Sequence, residues 1–160
     1  MPQPTPSQTI GPFFIEALKW AVELAVTPTD GVRVSGRVLD RDGKGLSDAL
    51  LEIWQPSWAV SQPLPGLQRV ATDDQGRFAF FMPRPDGAQV HANVTVFARG
   101  LLCGLFTRVY LHPKDDAAAV SLPAGVPAAR RGTLIGKRSA EGYEWNIRLQ
   151  GEGETVFFEI

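Results

Sequence analysis

Gln89-Val90-His91-Ala92-Asn93-Val94-Thr95-Val96-Phe97-Ala98-Arg99 decides the fold of this chain. Apolar residues fall on every second position, and side chains on a β-strand point to opposite faces with period two. Val90, Ala92, Val94, Val96 and Ala98 therefore form one face, which reads as core. His91, Asn93, Thr95, Phe97 and Arg99 form the other, a face rich in groups that bind and react.

The same period spreads outward from this strand. Val32, Val34, Gly36 and Val38 alternate with Arg33, Ser35 and Arg37, and a turn follows at Asp40-Arg41-Asp42-Gly43-Lys44-Gly45. Ala49 to Gln55 reads as a strand with Leu51 and Ile53 inward and Glu52 outward. Gln68 to Thr72, the turn Asp73-Asp74-Gln75-Gly76 and Arg77 to Met82 predict a β-hairpin. Leu105 to Leu111 predicts another strand. Tyr143, Trp145, Ile147 and Leu149 alternate with Glu144, Asn146 and Arg148 as a single half-buried strand, and Thr155 to Ile160 closes the chain. Helix is scarce: Glu16 to Leu24, Lys114 to Val120 and Ala128 to Ile135 are the helical candidates. Many short strands with turn signals predict an all-β, antiparallel β-sandwich. The 160 residues fit a single domain, 1–160, with residues 1–31 as an N-terminal arm and loop and 32–160 as the sandwich core.

Composition narrows the function. The chain is 44% hydrophobic and 21% charged with a formal net charge of -1, which opposes a nucleic-acid protein. No apolar run reaches the roughly 20 residues a bilayer requires. Met1-Pro2-Gln3-Pro4-Thr5-Pro6 has neither a basic nor an apolar leader segment, so a cytoplasmic protein without membrane attachment is expected. Cys103 is the one cysteine; it reads as a small buried residue. There is no glycine-rich phosphate loop of the common types. His91 and His112 are the two histidines, and His112, beside Pro113 at a strand end, reads as a surface or capping residue. Trp54, Trp58, Phe78, Phe80 and Phe81 offer apolar area for a core and for an obligate interface.

Several longer stretches share a pattern. Thr5-Pro6-Ser7-Gln8-Thr9-Ile10-Gly11-Pro12-Phe13 opens the chain. Gly36-Arg37-Val38 is followed by Leu51-Glu52-Ile53-Trp54-Gln55, then Phe97-Ala98-Arg99-Gly100 and Thr107-Arg108-Val109-Tyr110. Arg130-Arg131-Gly132-Thr133-Leu134-Ile135 and Gly151-Glu152-Gly153-Glu154-Thr155-Val156-Phe157-Phe158 complete the set. Together, from Thr5 to Ile160 and with shortened loops, they resemble the intradiol ring-cleaving dioxygenases, and among these the alpha subunits of the two-subunit members that act on protocatechuate.

The resemblance implies a β-sandwich of the intradiol (prealbumin-like) type. It implies opening of the aromatic ring between two adjacent hydroxyls by dioxygen, yielding 3-carboxy-cis,cis-muconate in aromatic catabolism. The Fe3+ of that family is held by two tyrosines and two histidines, hard phenolate oxygens with imidazoles. In this chain the positions matching the family's His-x-His are His91 and Asn93. Neither Ser57 to Gly66 nor Pro83 to Val90, where the tyrosines would stand, contains one; Tyr110 and Tyr143 lie on other strands, as a core or interface residue and as part of an inward stripe. The expectation is that the chain carries no catalytic residue of its own and binds no metal, its vestigial positions being His91 and Asn93, and that Fe3+ belongs to a beta subunit partner.

By the same resemblance, Thr9, Gly11, Pro12, Phe13 and Arg99 of this chain approach the substrate in the partner's site. Phe13 departs from the tyrosine usual there and lacks its hydroxyl. Arg99 stands eight residues beyond His91, roughly 26 Å along an extended strand. It cannot line a site centred on His91, and a guanidinium suits an anionic substrate. A non-catalytic transthyretin-like binding module is the rival reading, and a self-sufficient single-chain enzyme is disfavoured by the lost ligands.

Overall fold

The computed structural model describes Gly11 and residues 31–55, 66–114 and 117–159. Among the described residues nine strands follow in order: β1 Gly31–Leu39, β2 Leu50–Trp54, β3 Leu67–Ala71, β4 Arg77–Pro83, β5 Val90–Phe97, β6 Leu105–Leu111, β7 Lys137–Ser139, β8 Gly142–Glu144 and β9 Ile147–Arg148. Two short 3-10 helices, Ala117–Ala119 and Ala128–Leu134, stand between β6 and β7 where helical stretches were expected. The helix expected over 16–24 lies outside the described residues.

The strands form two sheets. One has the order β4-β1-β8-β7, with β9 also pairing β1; the other runs β3-β2-β5-β6 and is antiparallel throughout. Their inner faces meet in one core of Val34, Val38, Leu51, Ile53, Phe80, Met82, Val94, Val96 and Ile147, all essentially without solvent contact. Each such side chain stabilises the fold by about 1.5–3 kcal/mol through area removed from water. Alternation on β5 is as the sequence predicts: Ala92, Val94 and Val96 are buried, and the alternate residues are more exposed. Gly36 interrupts the inward valines of β1 because a Cβ there would collide with the carbonyl of Trp145.

Two expectations are corrected. Residues 68–82 do not make a hairpin. Asp73 does close the predicted turn, its Oδ1 accepting the Gln75 and Arg77 amides at 2.9 and 2.8 Å. The turn instead carries the chain from one sheet to the other: β3 pairs with β2, and β4 pairs with β1. Periodicity assigns a face to a strand but names no partner. Gln68 bridges the two strands instead, its Oε1 accepting the Phe81 amide at 3.0 Å and its Nε2 donating to the Phe81 carbonyl at 2.7 Å. Residues 143–149 likewise are not one strand. They divide into β8 and β9, both parallel to β1, with Trp145 and Asn146 between. The Asn146 side chain accepts the Arg37 amide at 2.9 Å at this break. Tyr143, Trp145 and Ile147 keep their inward positions.

A smaller cluster of Tyr110, Val120, Leu134 and Val156 packs beside β6. It is fastened by two motifs that lie far apart in sequence. Arg130 donates to the carbonyls of Glu154 and Thr155 and pairs with the Glu154 carboxylate at 3.1 Å. Thr133 Oγ1 accepts the Val156 amide at 3.2 Å. The C-terminal segment is thereby drawn over the outer side of the β3-β2-β5-β6 sheet, where Phe158 bridges Phe106.

Candidate functional site

The outer face of the second sheet bears the residues singled out on β5. Antiparallel register sets His91 opposite Tyr110, Asn93 opposite Arg108 and Thr95 opposite Phe106 on β6. On the other side Trp54 stands opposite Asn93 and Glu52 opposite Thr95. Trp54 is 38% exposed, so it lies on this face and outside the core. Phe78 and Phe80 are core as expected, Phe81 is half-buried, and Trp58 lies outside the described residues.

His91 stacks on Tyr110 with ring centroids 5.4 Å apart and an interplanar angle of 27°. Asn93 Oδ1 accepts a hydrogen bond from Arg108 Nε at 2.9 Å. The Arg108 guanidinium packs against two rings that touch each other, 5.8 Å from the centre of Phe106 and 5.6 Å from that of Phe158. Burial, and then the Arg108 charge, push the His91 imidazole below its ordinary value of 6.5.

These residues do not fit a ferric ion. The stacked rings of His91 and Tyr110 face one another and do not converge on a point. The Asn93 oxygen is engaged by a cation, and that cation would repel a metal beside it. No group of three or more histidine, cysteine, aspartate or glutamate side chains suited to a metal occurs among the described residues. Sequence reasoning quoted Arg108 and Tyr110 within a shared motif but missed both as neighbours of Asn93 and His91; strand register, once β5 and β6 are paired, locates them.

Arg99 lies at the opposite end of β5, past Phe97, on a turn closed by a hydrogen bond from the Leu101 amide to the Ala98 carbonyl at 3.2 Å. Gly100 supplies the φ of +88° that the turn needs. The Arg99 side chain is 65% exposed, and its Nε lies 2.9 Å from Asp48 Oδ2. On the same connection Cys103 is exposed, contrary to the buried position expected of it, because it sits in the loop beyond the strand. Leu102 is 65% exposed there as well. His112 behaves as expected of a strand-end cap, its Nδ1 bonding to Lys114. Gly11 is exposed, and a Cβ there would meet nothing within 4 Å. Thr9, Pro12 and Phe13 lie outside the described residues.

An open groove crosses the outer face of the other sheet, lined by Arg33, Arg37, Arg77, Glu141 and Glu144 among others. Its charges are largely matched. Arg33 pairs with Glu141 at 3.1 Å, and Asp73, at its edge, is held below the usual carboxylate range by its hydrogen bond from the Arg77 amide and by Arg77 and Arg37.

Two face-packed sheets of this order define the class, the fold of the intradiol dioxygenases. Catechol 1,2-dioxygenase from Pseudomonas arvilla C-1 superposes with a TM-score of 0.51 at 20% identity, over 79% of this chain and 54% of that one. No family model matches the chain. Sequence comparison is more specific. The protocatechuate 3,4-dioxygenase alpha chain of Burkholderia cepacia is 38% identical over 98% of this chain and 97% of its own length. The chain belongs to the protocatechuate 3,4-dioxygenase alpha-chain family. That alignment runs over 194 positions for a chain of 160 residues, as shortened loops require. The beta chain of the same organism's enzyme is 30% identical over 93% of this chain and 77% of its own length, so the two chain types share an ancestry. No helix among the described residues is long and apolar enough to cross a membrane.

Proposed function

We propose that this chain is the iron-free alpha subunit of a protocatechuate 3,4-dioxygenase, a cytoplasmic hetero-oligomer in which a beta subunit ligates Fe3+. The observation that carries the reading is the pairing of full-length likeness to alpha chains with a His91–Asn93 position occupied by Arg108. A chain of this family that cannot hold the metal contributes to catalysis only by shaping a site on its partner. A ferric ion held by the beta subunit would supply the chemistry that readies a catechol ring for dioxygen, and this chain's residues would bind and orient the substrate beside it.

The work left to this chain is binding and orientation. Protocatechuate carries a carboxylate beside its ring hydroxyls, and a guanidinium meets an anion with several fixed donors. Arg99 is the residue assigned to that task, with Thr9, Gly11, Pro12 and Phe13 forming the wall of the substrate pocket. Its exposure at a strand end suits an interface role, since a partner can reach it without disturbing the core.

Co-expression with a beta chain tests the reading. The complex is expected to contain iron and to cleave protocatechuate with uptake of dioxygen, while this chain purified alone holds no stoichiometric iron and shows no turnover. An iron-loaded, active chain on its own overturns the proposal.

A further inference from the structure

The geometry points to Asp48 as the positioning residue for Arg99, a fixed carboxylate that aims the guanidinium at the substrate anion. The inference rests on the role proposed for Arg99 and adds the device that makes it effective.

An arginine 65% exposed at the tip of a turn is poorly suited to recognition by itself, because its long side chain samples many rotamers. Arg99 is not left in that condition. Its Nε is 2.9 Å from the Asp48 carboxylate, and Asp48 is only 23% exposed. The pairing follows from the sheet. Leu50 on β2 stands opposite Phe97 on β5. Continuing that antiparallel register two residues past each strand end sets position 48 opposite position 99. The ion pair therefore joins the two turns that flank the paired ends of β2 and β5.

Asp48 itself rests on an immobile base. Thr72, 8% exposed, donates its hydroxyl to the Leu46 carbonyl at 2.7 Å and accepts the Ala49 amide at 3.0 Å. The Thr72 amide donates to the Ala49 carbonyl at 2.9 Å, and Ala49 is fully buried. The backbone on both sides of Asp48 is thus tied to one residue, Thr72, directly after β3. Approach of the carboxylate at Nε leaves the two Nη groups as the donors an incoming carboxylate meets. A guanidinium held this way presents a fixed fork, and fixing donors in advance lowers the entropy lost on binding.

The test uses the assembled alpha-beta complex and two substrates, protocatechuate and unsubstituted catechol, which lacks the carboxylate. Asp48→Ala is expected to raise KM for protocatechuate roughly fivefold with little change in kcat. Its KM for catechol stays unchanged, and so does the iron content of the complex. Asp48→Glu recovers part of the loss. In the Arg99→Ala background, Asp48→Ala has no further effect. An equal loss with both substrates assigns Asp48 a merely structural role and overturns the inference. So does normal protocatechuate KM in Asp48→Ala while Arg99→Ala is impaired, an outcome that leaves the reading of Arg99 standing. If Arg99→Ala itself is unchanged in an intact complex, the role of Arg99 falls and the inference falls with it.

Discussion

The two ends of β5 present opposite solutions on one strand. At the His91 end, aromatic rings and the Arg108 guanidinium crowd the outer face, and a hydrogen bond occupies Asn93. At the Arg99 end the side chain projects into solvent and is steadied by a carboxylate from the neighbouring strand's connection. Both ends stand on the same buried valines. The difference teaches that one strand can carry two unlike surfaces, a closed one at His91 and an open, charged one at Arg99, because the core beneath is common and the surface chemistry is local.

The comparison breaks most completely if the shared support fails. Val96→Asp places an unpaired charge in a position without solvent contact, and is expected to cost about 4 kcal/mol or more. Urea unfolding measures that loss, and both ends of β5 should lose function together; an expressed, folded variant with normal stability would contradict the placement of the core.

A smaller effect separates the ends. Arg99→Ala in the alpha-beta complex is expected to lower kcat/KM for protocatechuate roughly tenfold, the scale of a lost charged hydrogen bond. Iron content should not change, since nothing at the His91 end is touched. Loss of iron in this variant would tie the two ends together and defeat the comparison.

The His91 end is sharpened by pH. Burial and the Arg108 charge hold the folded imidazole below 6.5, while the unfolded chain takes up its proton near that value. The unfolded state therefore binds more protons as pH falls through 6.5, and folded stability declines in that direction. Arg108→Leu removes one of the two causes, so the NMR titration midpoint of His91 should rise and the decline become shallower. An unmoved His91 titration would dismiss Arg108 as the cause.

The least effect is expected from restoring a ligand alone. Asn93→His in the isolated chain should leave it without stoichiometric ferric ion by metal analysis, because the Arg108 cation, packed on Phe106 and Phe158, remains opposite position 93. Tight, stoichiometric iron in that variant would show that the missing imidazole was the whole obstacle.

Much of the fold is legible in local pattern. The alternation over 90–98 yields β5 and its buried face directly, because a strand's period is a property of its own residues, and 105–111 is legible as a strand. Partners are not local. β3 and β4 look like a hairpin from their turn, yet their hydrogen bonds go to β2 and β1. Site residues divide the same way. Arg99 and His91 stand out by residue type and position, whereas Arg108, Tyr110 and Asp48 matter through register across strands. Asp48 becomes readable once Leu50 is known to face Phe97, and no period in the sequence supplies that fact.

The Gln68 clasp on Phe81 has a consequence for what this molecule will not do. β4 is an edge strand, and an edge offers unpaired amides and carbonyls on which a foreign strand can grow. The outward-facing amide and carbonyl of Phe81 are already taken by the Gln68 side-chain amide, which imitates a peptide group, and the carbonyl accepts from Gln55 as well. The row is interrupted at that point, and a chain trying to add there would have to displace a buried glutamine first. That small interruption guards the β4 edge against the indiscriminate pairing of β-sheets that leads to aggregation.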